Sequence, residues 1–311
     1  MSNANPGVTV NIRSIIIVSL LSIAYLALST FLIGYKPDEL TLVVIFNVLF
    51  YASAITRKFI LGFTIFIVYW IIFDYMKAFP NYNYNPVHIA QLYNAEKHLF
   101  GIHFNGKLLT PNEYWLANTK TYIDVISGLF YLCWIPVPLG FAAYLFFKNK
   151  KQFINFSITF VLVNMLGFIV YYTYPAAPPW FVQQHGFHFI PLTMGNTAGL
   201  ARFDAYFHAG IFKNIYTKGS NVFAAMPSLH SSYPVIVLYY GLKNRLGWVN
   251  IFFAIVTVGI WFTAVYASHH YVLDVLAGIT TACLGIALYN LLLKKIPVLQ
   301  SALNSYQKVI S

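Results

Sequence analysis

The sequence predicts an all-α fold, a polytopic helical membrane protein with about eight transmembrane spans. Three observations predict it. Runs of about 20 apolar residues with few charges recur along the chain. Lysines and arginines gather in short clusters between those runs, and the period-two alternation of an outer-membrane barrel is absent. Of the 311 residues, 59% are hydrophobic, 19% aromatic and 9% charged. A water-soluble domain has no core large enough for that much apolar surface.

Taken in order, the chain opens on a short polar segment, MSNANPGVTVNIRS, that runs into the first apolar stretch with no small-residue cleavage signal. A retained first span is therefore expected in place of a signal peptide, and no lipidation motif is present. Spans are expected at residues 14–35, 39–55, 59–76, 122–147, 153–173, 228–242, 249–266 and 270–293, the second and sixth being short. This divides the chain into N-terminal spans (1–76), an outer connection (77–121), a core (122–296) interrupted by an outer loop (174–227), and a cytoplasmic tail (297–311). Connections as long as 77–121 and 174–227, rich in aromatics, Asn, Pro and His, are expected to form interfacial helices or lids. Cys133 and Cys283 fall inside apolar stretches, where a thiol behaves as a small hydrophobe, and no disulfide is expected.

The formal net charge is +11, yet the cations form no stripe on a soluble module, so nucleic acid is not expected as a partner. Eleven of the 19 lysines and arginines (Arg13, Arg57, Lys58, Lys148, Lys150, Lys151, Lys243, Arg245, Lys294, Lys295 and Lys308) fall on one side of the eight-span arrangement. The positive-inside rule makes that side cytoplasmic. All eight acidic residues and all nine histidines then fall at or beyond the outer ends. Acid–base chemistry at neutral pH is thereby confined to the non-cytoplasmic face.

Three stretches on that face carry candidate chemistry. In ASHHYVLDVLAG (267–278), His270 and Asp274 are four residues apart, a spacing that stacks them on one face of a helix and lets the carboxylate fix one imidazole nitrogen while the other stays free. In AAMPSLHSS (224–232), Ser228 is a good helix cap, the N–H groups of Leu229 to Ser231 open the sixth span as an anion-binding start, and His230 lies in the same turn. In YPAAPPWF (174–181), prolines stop the fifth span, with Pro178 and Trp180 at its outer end. The bland alternatives are a satisfied polar pair for His270 and Asp274, a simple cap for Ser228 and a belt aromatic for Trp180. Ionisable groups at membrane depth favour the functional reading.

MPSLH followed by HHYVLDVLAG resembles the second and third signature motifs of the type 2 phosphatidic acid phosphatase superfamily. The PAAPPW segment and YNAEKHLFGI (93–102) are similar to segments of its inositol phosphorylceramide synthase branch. The resemblance implies a six-helix catalytic core and a lipid phosphotransferase that moves inositol phosphate from phosphatidylinositol to ceramide, releasing diacylglycerol. His270 would be the nucleophile that becomes a phosphohistidine, Asp274 its orienting partner and His230 the proton donor to the leaving oxygen. No metal or other cofactor is implied. The partners are membrane lipids, no partner subunit is indicated, and a bacterial inner membrane is the expected location.

The sequence departs from the phosphatase pattern at Ala264, six residues before His270, where the superfamily carries an arginine. With fewer fixed cations, the site should favour a singly charged phosphodiester over a dianionic monoester. Arg202, Lys218 and His269 are candidates to supply the missing charge, and an arginine restored at position 264 is expected to raise monoester hydrolysis, provided its side chain reaches the phosphate and the seventh span tolerates its bulk. Three alternatives stay open: a lipid phosphate phosphatase of the same fold acting on phosphatidic acid or a polyprenyl diphosphate, a transporter with a histidine relay, and a zinc site built from His230, His269 and His270.

Overall fold

The computed structural model describes residues 10–217, 219 and 221–311. Its fifteen α-helices among the described residues are α1 (Ile12–Ile33), α2 (Pro37–Ala52), α3 (Ala54–Tyr75), α4 (Ala90–Phe100), α5 (Pro111–Ala117), α6 (Thr121–Leu132), α7 (Pro136–Lys148), α8 (Lys150–Thr173), α9 (Pro179–His185), α10 (Ala201–Tyr206), α11 (Ile211–Thr217), α12 (Leu229–Lys243), α13 (Val249–Tyr266), α14 (Val272–Lys295) and α15 (Pro297–Ile310). A single hairpin of β1 (Ile102–Phe104) and β2 (Lys107–Leu109) completes them.

Among the described residues, six helical stretches are long and apolar enough to cross a bilayer: α1, Ala54–Ala78, the α6–α7 pair, α8, α13 and α14. The remaining two of the eight expected spans are the short ones, α2 with 16 residues and α12 with 15. The protein is an integral membrane protein. The fourth expected span is not one rod. It breaks between Leu132 and Pro136, because Pro136 has no N–H to continue α6 and opens α7 instead.

The chain clusters into two compact units, one of Met1–Phe79, Ala142–Val161 and Leu291–Ser311, the other of Pro80–Phe141 and Leu162–Asn290. Within the first, phenylalanines from α3, the end of α7 and the start of α8 interlock, as in the edge-on pairs Phe59–Phe146 and Phe146–Phe153. Between helices in a bilayer such packing replaces the hydrophobic effect, which lipid tails would satisfy equally well. The tail is helical: α15 seats Tyr306 on α3, its hydroxyl donating to the carbonyl of Leu61 at 2.7 Å.

Within the second unit α12 packs against α13, and α13 against α6. Buried polar pairs tie helices together, such as Tyr233 donating to Asn164 at 2.8 Å. The starts of α6, α12 and α14 and the ends of α8 and α13 lead into or lie against the two long connections, which here become α4, the hairpin, α5 and α9 to α11. Ala176 pairs with both His88 and Ala224, giving three short parallel segments side by side. This ladder joins the first connection, the proline segment and the stretch leading into α12.

Candidate active site

The site is organised by the turn Ala267–Tyr271 between α13 and α14. The expectation drawn from helical spacing is corrected here: His270 precedes α14, which begins at Val272, so His270 and Asp274 do not share a helix face.

 

The turn instead brings the two groups together across a bend. His270 Nδ1 donates to the carbonyl of Ala225 at 3.0 Å and lies 3.5 Å from Asp274 Oδ2, close enough for charge attraction but too long for a good hydrogen bond. Asp274 Oδ2 accepts from the N–H of Tyr271 at 2.9 Å, the reach-back of a third helical residue to the residue before its helix.

Because a carbonyl can only accept, the proton of neutral His270 sits on Nδ1, and Nε2 keeps its lone pair. That nitrogen faces His230, whose Nδ1 is 3.3 Å away and donates to it. Burial pushes the His270 imidazole down to about 4, so at neutral pH the lone pair is available. His230 is walled by Trp134, edge-on at 4.4 Å, and by Tyr131 at 5.3 Å.

Ser228 is fully buried and caps α12, its hydroxyl accepting from the N–H of Ser231 at 3.3 Å. Its own N–H donates to the carbonyl of Asp274 at 2.9 Å, so the starts of α12 and α14 are stitched together. Gly278 permits this approach, since a β-carbon there would collide with the Ser228 carbonyl. The first-turn N–H groups of Leu229 and His230 have no acceptor within their helix and form an anion-binding start beside the two histidines.

The other sequence-derived candidates are placed differently. His269 is stacked between Tyr216 at 4.5 Å and Tyr131 at 5.6 Å, and its Nε2 donates to the carbonyl of Thr197 at 3.0 Å. Burial, with His270 and His230 adding to it, holds its pKa well below the usual imidazole value, so it is neutral and supplies no charge. The Thr197 carbonyl takes up one of its ring nitrogens, and among the described residues no three His, Cys, Asp or Glu side chains converge as metal ligands. Arg202 is committed to Asp124, with Nε to Oδ1 at 2.6 Å, and lies over the Tyr266 ring. Pro178 precedes α9, and the N–H of Trp180 donates to the Ser268 carbonyl at 3.0 Å while its ring is buried beside Ile89 and Phe223. Trp180 therefore braces the histidine turn from outside it, while Pro178 opens the helix that carries it. Lys218 lies outside the described residues. Ala264 is fully buried in a cluster with Tyr131, Leu200, Phe203 and Phe212, and its carbonyl accepts from the N–H groups of His269 and His270. This setting bears on the conditions attached to an arginine there, because a guanidinium starting inside an apolar cluster has to leave it to reach a phosphate.

Sequence reasoning missed Ala225, which acts through its main chain and leaves no side-chain signal. It also missed two buried polar residues of the first connection. Asn112 donates to the carbonyls of Val265 and His270 at 2.8 and 2.9 Å. Glu96 accepts from the N–H groups of Val272 and Leu273 at 2.9 and 3.1 Å. A signal for the second existed, because no Ser, Thr, Asp or Asn stands before Val272 to cap α14.

A family model described as the PAP2 superfamily matches residues 91–288. The chain belongs to the PAP2 superfamily. The match takes in both histidines, Asp274, and the Glu96 and Asn112 contacts. The chain is 42% identical to a phosphoinositol dihydroceramide synthase of Bacteroides thetaiotaomicron over 92% of its own length and 94% of that protein. It is 28% identical to an inositol phosphorylceramide synthase of Candida albicans over 51% of this chain and 34% of that one. It is also 28% identical to the inositol phosphorylceramide synthase catalytic subunit of Saccharomyces cerevisiae over 64% of this chain and 49% of that one. No solved structure matches.

Proposed function

We propose that this protein is a lipid phosphotransferase that moves inositol phosphate from phosphatidylinositol to the primary hydroxyl of a ceramide, releasing diacylglycerol. The observation that carries the reading is the end-to-end likeness to the Bacteroides protein, whose name makes the saturated dihydroceramide the first acceptor to try. The histidine geometry supplies a route.

In that route the Nε2 lone pair of His270 attacks phosphorus, the bond from phosphorus to the glycerol oxygen breaks, and protonated His230 gives that oxygen its proton, yielding diacylglycerol. The phosphodiester's negative charge favours the protonated form of His230 as it enters. Its entry displaces the hydrogen bond between the two rings. Phosphorylated on Nε2 and protonated on Nδ1, the His270 ring is cationic, and Asp274 at 3.5 Å offsets that charge. His230 then takes the proton of the ceramide hydroxyl, whose oxygen attacks phosphorus, and the phosphorus–nitrogen bond breaks to restore His270. Water is the competing acceptor, and the burial of His269 and His270 disfavours it. The site faces away from the cytoplasm, from the distribution of lysine and arginine, and the membrane is a bacterial inner membrane.

The test is to incubate purified protein with head-group-labelled phosphatidylinositol, with and without dihydroceramide, and identify products by mass. Inositol phosphorylceramide and diacylglycerol in equal amounts are expected. Faster phosphate release from phosphatidic acid would replace this reading with a phosphatase.

A further inference from the structure

The nucleophile's turn is held from the first connection at two places. Glu96, on α4, is fully buried, and its two carboxylate oxygens take the N–H groups of Val272 and Leu273, the first two of α14. Asn112, on α5, is equally buried, and its amide donates to the carbonyl of His270 itself and to that of Val265. Between these anchors lies only Tyr271.

The arrangement is specific in sign. Helix α14 begins with N–H groups that no neighbouring side chain in its own sequence satisfies, save that Asp274 takes Tyr271. An unpaired helix start is also an attractive place for phosphate. Glu96 fills that place with a fixed carboxylate from 176 residues away in sequence, leaving the start of α12 as the open anion-binding turn beside His230. Burying a carboxylate is costly and is tolerated when charge-assisted hydrogen bonds satisfy it. A purely structural cap is within reach of a serine or aspartate at position 271, with no buried charge from another element.

We infer that Glu96 and Asn112 are positioning residues for phosphoryl transfer, a two-point clamp that sets the direction of the His270 ring and reserves the start of α12 for the substrate phosphate. The inference rests on the phosphotransfer reading above. The clamp fixes the backbone on both sides of Tyr271, so the ring of His270 can keep its bond to Ala225 while Nε2 is aimed at phosphorus. Misdirection of a nucleophile by about 1 Å costs on the order of 100-fold in rate.

The experiment compares Glu96→Gln, Glu96→Asp and Asn112→Ala with the unmodified protein in detergent, reading kcat and KM for transfer and, separately, backbone hydrogen exchange over residues 265–275. Glu96→Gln keeps the size and one acceptor of the native side chain but turns an NH2 group toward an N–H. We expect kcat to fall by roughly 10- to 100-fold with KM changed less than about 2-fold. Asn112→Ala should behave alike, and Glu96→Asp, which keeps the charge, should recover part of the loss. Exchange at Val272 and Leu273 should quicken in Glu96→Gln, and near His270 in Asn112→Ala, with the rest of α14 unchanged. Wild-type kcat in folded Glu96→Gln overturns the positioning role, and so does a loss shared equally with thermal stability that Glu96→Asp does not relieve. If the unmodified protein makes no transfer product, the phosphotransfer reading fails by itself; the clamp is then judged by exchange, and unaltered protection at Val272 and Leu273 overturns it too.

Discussion

His270 gives its Nδ1 proton to the main-chain carbonyl of Ala225 at 3.0 Å. The tautomer of the candidate nucleophile is thus set by backbone, and Asp274 at 3.5 Å is left to act through its charge. This separates two duties that a hydrogen-bonded His–Asp pair would combine.

His270→Ala should therefore abolish turnover with the fold intact, because the attacking atom is gone. Asp274→Asn keeps an acceptor for the Tyr271 N–H and leaves the Ala225 bond in place, while removing the charge that stabilises a cationic phosphorylated ring. Its kcat should drop by roughly 10²- to 10⁴-fold with the tautomer retained. Steady-state kinetics on both variants checks this. An active His270→Ala, or a silent Asp274→Asn, would reduce the pair to structure.

Gly278 lets α14 approach the Ser228 carbonyl, and that contact brings the two helix starts together. Gly278→Ala should lower the melting temperature in detergent and reduce activity with it, since the obstructing atom is backbone and cannot swing aside. Unchanged stability and rate would show that the two helix starts have slack.

Glu96 offers a test of sign. Burial is the main cause that pushes its carboxyl from 4.5 up to about 7; Asp274 adds to the rise, and the N–H groups of Val272 and Leu273 oppose it. Relative to the unfolded chain the fold thus favours the protonated form, while the two N–H groups hold the carboxylate once it ionises. That contribution is fully present below the unfolded pKa near 4.5 and is lost as pH rises through about 7. Relative to the unmodified protein, Glu96→Gln should gain stability as pH goes from 5 to 8, whatever its fixed hydrogen-bond loss. Thermal unfolding across that range checks it, and a difference that is flat or falls with pH counts against a buried, ionising Glu96.

Ala264→Arg should not create a phosphatase. Ala264 is fully buried in one apolar cluster with Tyr131, Leu200, Phe203 and Phe212, so the longer side chain must either disrupt that cluster or bury a cation within it. Poor expression or a lowered melting temperature is expected, with no gain in phosphate release from phosphatidic acid. A stable variant with faster monoester hydrolysis would mean that the cluster opens toward the site.

What the sequence made legible follows from which interactions are local. Apolar runs set the long helices, and the MPSLH and HHYVLD stretches carried His230, His270 and Asp274 in their side chains. The helix start at Val272 instead of His270 was not legible, because it depends on Glu96 capping from a distant helix. Ala225 was invisible because its carbonyl is common to every residue. Arg202 and His269 looked like available cations until Asp124 and the Tyr131–Tyr216 stack accounted for them. The hairpin had a local signal that went unused: Asn105 and Gly106, both at positive φ, form the kind of two-residue turn that an Asn-Gly pair favours.

The orientation of the site is the last prediction. Lys148, Lys150 and Lys151 lie around the junction of α7 and α8, Lys243 and Arg245 around the end of α12, and Lys294 and Lys295 at the end of α14, each at the far end of a helix whose other end leads toward the histidine turn or the long connections. Cationic connectors stay cytoplasmic during insertion, so the histidines should face the opposite compartment. In a background with Cys133 and Cys283 replaced by alanine, single cysteines at the exposed positions His188 and Lys151 separate the two faces. An impermeant thiol reagent added to intact cells should label His188→Cys and reach Lys151→Cys only after the membrane is opened. The reverse pattern would put the donor head group, the acceptor hydroxyl and both histidines on the cytoplasmic side, and with them the pool of lipid that the enzyme draws on.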